Sequence, residues 1–159
     1  MMDAVPWKFV DSVVELFGKK TLEELALEVQ NPLWKAVVDL HHRSRVYYTV
    51  TLCKQGDGIG HFVSTVGGAA MSCYCLSEIR VNGRFARIVR INDGSSRDIY
   101  ESSWSRNCRD ETAETAKLLE SIITLIDQDC ARFDAQWGSI YGYLWYTAVK
   151  SHAISWRTR

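Results

Sequence analysis

The chain has 159 residues with 19 basic and 19 acidic side chains, a formal net charge of zero, and 47% hydrophobic residues. That length fits one domain, or a small module joined to a larger one, and is enough to bury a core without staples. The charge balance excludes a whole-molecule field that would steer the protein to nucleic acid or an anionic membrane, so any charged partner must be recognised locally.

The five cysteines, Cys53, Cys73, Cys75, Cys108 and Cys130, are an odd set. No basic segment followed by an apolar run and a cleavage site opens the chain, so a reduced, intracellular setting, cytoplasmic or nuclear, is expected. The nearly uncharged run over residues 137–149 is shorter than the ~20 apolar residues of a membrane span, and no membrane segment is expected.

Apolar residues recur at helical spacing from Phe9: Val13 and Phe17 share its stripe, with Val10 and Val14 beside it. Gly18 is expected to end this first helix. Thr21 is expected to cap a second one, with Glu24 completing a reciprocal capping box and Leu22, Leu25, Ala26 and Val29 on the buried side. Asn31-Pro32 starts a third, because asparagine caps well and proline suits a first position whose amide would have no partner. Leu33, Trp34, Val37, Val38 and His41 continue it. Helices this short are marginal alone and must pack on one another or on a partner.

Near Arg45 the period changes to alternation and β-formers accumulate. Strands are predicted over 46–52, 59–66, 71–81 and 85–91, with turns at residues 55–58 and at Gly67-Gly68, and with Asn82-Gly83 as a hairpin signal. A short strand over 98–104 precedes a helix capped by Asp110 and running to about Phe133. The tail is aromatic, with a strand predicted over 140–146 that puts Tyr141, Tyr143 and Trp145 on one face. The fold class expected is α+β: a three-helix module at residues 4–45, then a target-recognition domain at residues 46–159 built as a mainly antiparallel sheet with one long packing helix.

The first third resembles an F-box, the three-helix motif by which substrate receptors join a cullin-RING ubiquitin ligase through its adaptor subunit. The family's opening Leu-Pro falls on Val5-Pro6, its aliphatic pair on Val13-Val14, and the end of its first helix on Phe17. Its later leucine and tryptophan positions fall on Leu22, Leu25, Val29 and Trp34. The pattern departs from the family at Val5, around Glu28-Val29, where a Val-Cys pair is usual, and at Trp34, which comes slightly late. It is similar to the degenerate boxes of the nematode F-box-like expansion. The resemblance implies a partner-binding set of Val5, Pro6, Val13, Val14, Phe17, Leu22, Leu25, Val29 and Trp34. Its partners would be a ligase adaptor and an unknown target protein, with catalysis left to other subunits. The alternative is a self-contained interaction domain in which the same residues are core.

No enzyme motif is found: no G-x-S-x-G, no H-E-x-x-H, and a Gly67-Gly68-Ala69-Ala70 run that lacks the lysine of a phosphate loop. Cysteine and histidine spacing fits neither zinc pattern, so no metal and no cofactor are expected. Adjacent His41 and His42 point about 100° apart on a helix, one toward the core and one toward solvent. Arginines concentrate from Arg80 to Arg109, an arrangement that could hold an anion. Strand alternation is expected to divide Arg87 from Arg90, leaving a solvated, partly paired face rather than a nucleic-acid site.

Overall fold

The computed structural model describes residues 5–55, 58–67, 76–94, 117, 120–129, 132–135 and 155–158. Three helices, α1 (Trp7–Glu15), α2 (Lys19–Glu28) and α3 (Pro32–Ser44), precede strands β1 (Val46–Gln55) and β2 (Gly58–Thr65), a short helix α4 (Leu76–Val81) and strand β3 (Ala86–Asp93). A 3₁₀ turn at Ile123–Leu125 leads toward β4 (Arg132–Ala135), and β5 (Ser155–Thr158) completes a five-stranded sheet of order β2-β1-β3-β4-β5.

The architecture is α+β, as the change of period at Arg45 requires. The sheet is not mainly antiparallel: β1 pairs β2 antiparallel, but β1 with β3, β3 with β4 and β4 with β5 are all parallel. The reason lies in α4. Residues 76–81, read from their β-formers as the end of a strand, form a helix, so Asn82-Gly83 turns the chain from α4 into β3 instead of closing a hairpin. The chain thus re-enters the sheet beside β1 in the same direction. Short apolar runs are where helix and strand are hardest to tell apart by period.

The helix expected to reach Phe133 also stops early. Residues 120–122 are helical, Ile123–Leu125 tighten into the 3₁₀ turn, and Phe133 is a fully buried residue of β4. The start of that helix, the strands predicted over 98–104 and 140–146, and Cys73, Cys75, Cys108 and Cys130 lie outside the described residues.

A register shift between Tyr48 and Thr49 sets the faces of the sheet. Tyr48 pairs Ile88 but Thr49 pairs Arg90, so Val89 is an extra residue on β3. Such a bulge inverts alternation beyond it. Ile88 and Ile91 therefore both align with Tyr48 and Val50 on the buried face, joined through β4 by Phe133. The same shift overturns the expected division of Arg87 from Arg90: their partners Tyr47 and Thr49 lie on one side of β1, so both arginines share the opposite, polar face.

The helices have a core of their own. Val10 and Val14 from α1, Leu22 from α2, and Val37 and Val38 from α3 are fully enclosed, with Phe17, Leu25, Ala26, Leu33 and Trp34 packed around them. Each such aliphatic side chain contributes about 1.5–3 kcal/mol.

Local signals fare unevenly. Asn31 caps α3 as expected, its Oδ1 accepting from the amides of Leu33 at 3.0 Å and Trp34 at 3.3 Å, with Pro32 in the first turn. By contrast α1 ends at Glu15, before Gly18, and Gly18 is itself the N-cap of α2. Replacing Asn31 with alanine is expected to lower stability by about 1 kcal/mol, measured as a lower urea midpoint with an unchanged slope.

Candidate functional site

The backbone between α1 and α2 is where helical module and sheet meet. The last carbonyls of a helix and its first amides have no partner within the helix. Here both sets fall side by side, and the sheet side of the molecule supplies charges of opposite sign to each. Arg45, in the single-residue link between α3 and β1, donates from Nη2 to the carbonyls of Val14 (2.9 Å) and Glu15 (3.0 Å), and from Nη1 to that of Phe17. Arg87 of β3 donates to the Glu15 carbonyl as well, and to the carbonyls of Gly83, Arg84 and Ala86. Cations at a helix C-terminus also face the negative end of its dipole.

The amides of α2 are met by carboxylates. The Lys19 amide donates to Asp127 Oδ2 at 2.7 Å, while the amide and hydroxyl of Thr21 donate to Asp129 Oδ2 at 3.1 and 2.7 Å. Thr21 is therefore not an N-cap bonded to Glu24. It sits inside the first turn, and the capping oxygen comes from a residue 108 positions away. A second bond holds the loop, the Asp129 amide donating to Asp127 Oδ1 at 3.1 Å.

Burial shapes the charge states. Arg45 and Arg87 are each 7% exposed and Asp127 is 1% exposed. Burial lowers the pKa of both guanidiniums from the usual value; their mutual repulsion adds to the lowering at Arg87, while Asp127 and Glu15 oppose it at both. Tyr47, beside them, is raised by burial, and the Lys19 ammonium lies 5.4 Å from its ring centre. Hydrogen bonds to charged groups contribute about 1.5–3 kcal/mol each, and an ion left buried without its counter-charge is strongly destabilising. The junction is therefore held in place by charged side chains bonded to its open backbone groups.

An open concavity of about 460 Å³ lies against this junction, lined among others by Ser12, Leu16, Arg80, Arg87, Thr124 and Gln128. A second polar cluster lies nearby: Asp11 of α1 accepts from His41 Nε2 of α3 at 2.9 Å and from Arg84 of the turn before β3. Burial alone would raise Asp11, but the bonds from His41 and Arg84 outweigh it and hold its carboxyl below the usual range.

The residues singled out by the F-box resemblance divide by exposure. Val14 and Leu22 are completely enclosed in the helical core, and Phe17, Leu25 and Trp34 are half-buried against it. Val13 and Val29 are half-buried; Val5, at 38% exposure, and Pro6 are open. Phe9 (56%) and Leu16 (77%), outside the set, are more exposed than Val5. At 100° per residue, Phe9, Val13 and Leu16 fall within one side of the α1 axis, next to but distinct from the buried Val10 and Val14 stripe, while Val5 precedes the helix across the extended Pro6.

The sequence reading did not single out Arg45, Asp127 or Asp129. A charged residue at the boundary between a helical and an alternating period was the one available signal, and Arg45 carries it; the aspartates look like ordinary loop residues. Among the described residues no group of histidine, cysteine and carboxylate side chains is placed to hold a metal ion. No helix among them is long and apolar enough to cross a membrane. In comparisons with known proteins the chain matches no family model, no curated protein and no solved structure.

Gly18 tests the junction. A Cβ there would stand 2.2 Å from Asp129 Cγ, so Gly18→Ala must push the capping carboxylate off α2. A loss of about 1–3 kcal/mol, the range for overpacking, is expected, shrinking to a few tenths when Asp129→Gly removes the obstacle. Urea unfolding of the two single variants and the double variant measures that coupling.

Proposed function

We propose that the protein is a non-catalytic interaction subunit whose N-terminal three-helix module docks on the adaptor of a cullin-RING ubiquitin ligase, while the sheet domain holds a target protein. Such a receptor works in the cytoplasm or nucleus. The observation that carries this reading is the second apolar side of α1. Val10 and Val14 already complete the helical core, yet Phe9, Val13 and Leu16 add an apolar stripe that the core does not use, and the exposed Val5 precedes the helix. Contiguous exposed apolar surface commonly marks a protein-binding face, and an aromatic with aliphatic neighbours is the usual centre of one.

The docking set is accordingly narrower than the resemblance implies. Val5, Pro6 and Val13 belong to the proposed face with Phe9 and Leu16, while Val14 and Leu22 support it from within. Val14→Asp would therefore report unfolding, not lost docking.

A second reading, a self-contained interaction domain without a ligase role, is favoured by the junction itself, where four buried or half-buried charged side chains fasten the helices to the sheet. Co-purification with recombinant adaptor separates the two. The docking reading expects a stable complex that weakens at least tenfold in Phe9→Asp and in Val13→Asp, with Phe9→Asp, at an exposed position, keeping its stability to within about 0.5 kcal/mol. Absence of any complex with the wild-type chain discards the ligase role.

A further inference from the structure

His41 is the one histidine of the helical module that is wholly shut off from solvent, with 0% exposure, whereas His42 beside it is open. Three segments meet on its ring: α1 through Asp11, its own α3, and the turn before β3 through Phe85, whose ring centre lies 5.2 Å away at a tilt of 57°, and through Arg84, which binds the same Asp11 oxygen. Nε2 serves Asp11. Nδ1 is buried and has no hydrogen-bond partner.

That asymmetry fixes how many protons the ring can hold. A neutral imidazole has one N–H and one lone pair. With the N–H on Nε2 donating to Asp11, an unpartnered Nδ1 costs one missing bond to an acceptor atom. A second proton would place an N–H, and a positive charge, in a closed site with no acceptor. The charged groups that act on the ring are Asp11 from α1, Arg84 from the turn and Arg45 from the α3–β1 link, so a charged His41 would face two cations and one carboxylate already shared with Arg84.

We propose that Asp11, His41 and Arg84 form a proton-sensitive clasp: protonation of His41 at Nδ1 opens the contact of α1 with α3 and with the turn before β3, so that water can reach the ring. The proposal is independent of what the helical module binds. Burial, reinforced by Arg45 and Arg84 and opposed by Asp11, holds the ring's pKa below the usual 6.5. The sign follows. Between the folded value and 6.5 the opened form binds more protons than the closed one, so the closed form loses stability as pH falls through that window and is fully favoured above it. Asp11 acts elsewhere: its lowered carboxyl value confines its own contribution to more acidic pH.

Hydrogen exchange of the α1 amides between pH 7.5 and 5, corrected for intrinsic exchange, tests the clasp on the full chain. Opening is expected to rise up to tenfold per pH unit, the slope of a single proton, in the wild type and to stay flat in His41→Gln, whose amide nitrogen can still donate to Asp11. Equal behaviour of the two chains, or no rise in either, overturns the proposal. Should the variant fail to fold, imidazole NMR of the wild type decides: His41 titrating below 6.5, with α1 protection falling in step, supports the clasp. A ring that gains its proton at or above 6.5 with α1 still protected refutes it.

Discussion

Unpaired backbone at a helix-to-helix junction is the constraint around which the molecule is arranged. Where α1 ends and α2 begins, carbonyls and amides lose their helical partners within a few residues of each other, around the buried Gly18. Besides the local amides of Leu16 and Phe17, which bond the carbonyls of Val13 and Val14, the partners are ionic and come from elsewhere in the chain: Arg45 and Arg87 for the carbonyls, Asp127 and Asp129 for the amides. Each pair lies in the sense that a helix dipole favours. Because the four charges are themselves largely withdrawn from water, they need one another as much as the backbone needs them.

This changes how the two halves of the chain relate. The helices share an aliphatic core that owes nothing to the strands, and the strands bury a separate apolar face built on Tyr48, Val50, Ile88, Ile91 and Phe133. Among the described residues, they are joined by polar, directional bonds to the α1–α2 backbone and by the His41–Phe85 ring contact. Hydrophobic contact would tolerate sliding; bonds to named carbonyls do not. The outer side of α1 is thereby held in one orientation relative to the sheet, as the docking role proposed above needs.

The parts of this design that could be read from the sequence are those whose causes are local. Asn31-Pro32 starts a helix because a side chain and a ring two atoms away decide it, and the onset of alternation at Val46 marks β1 because a half-buried strand needs nothing more. The capping box at Thr21 was equally local and failed, since a carboxylate distant in sequence supplies a better acceptor and moves the helix start to Lys19. The direction of β3 was hidden for a related reason: it depends on whether residues 76–81 coil or extend, and their composition permits both. The bulge at Val89 is harder still, for it leaves no signature in composition, yet it decides that Arg87 and Arg90 share a face. The exposed stripe of α1 was only half legible, because period alone marks an apolar residue without saying which of two apolar sides is covered.

The separation of 108 residues between Thr21 and the carboxylate that caps its helix has a bearing on synthesis. At a translation rate of about 5–20 residues per second, the opening helices are synthesised roughly 5–20 s before Asp127 and Asp129. During that interval the aliphatic cluster of the helices can assemble, yet the α1–α2 corner remains wet and frayed. A partner that recognises the helical module on the nascent chain meets it before the loop carrying Asp127 and Asp129 has fixed the α1–α2 corner.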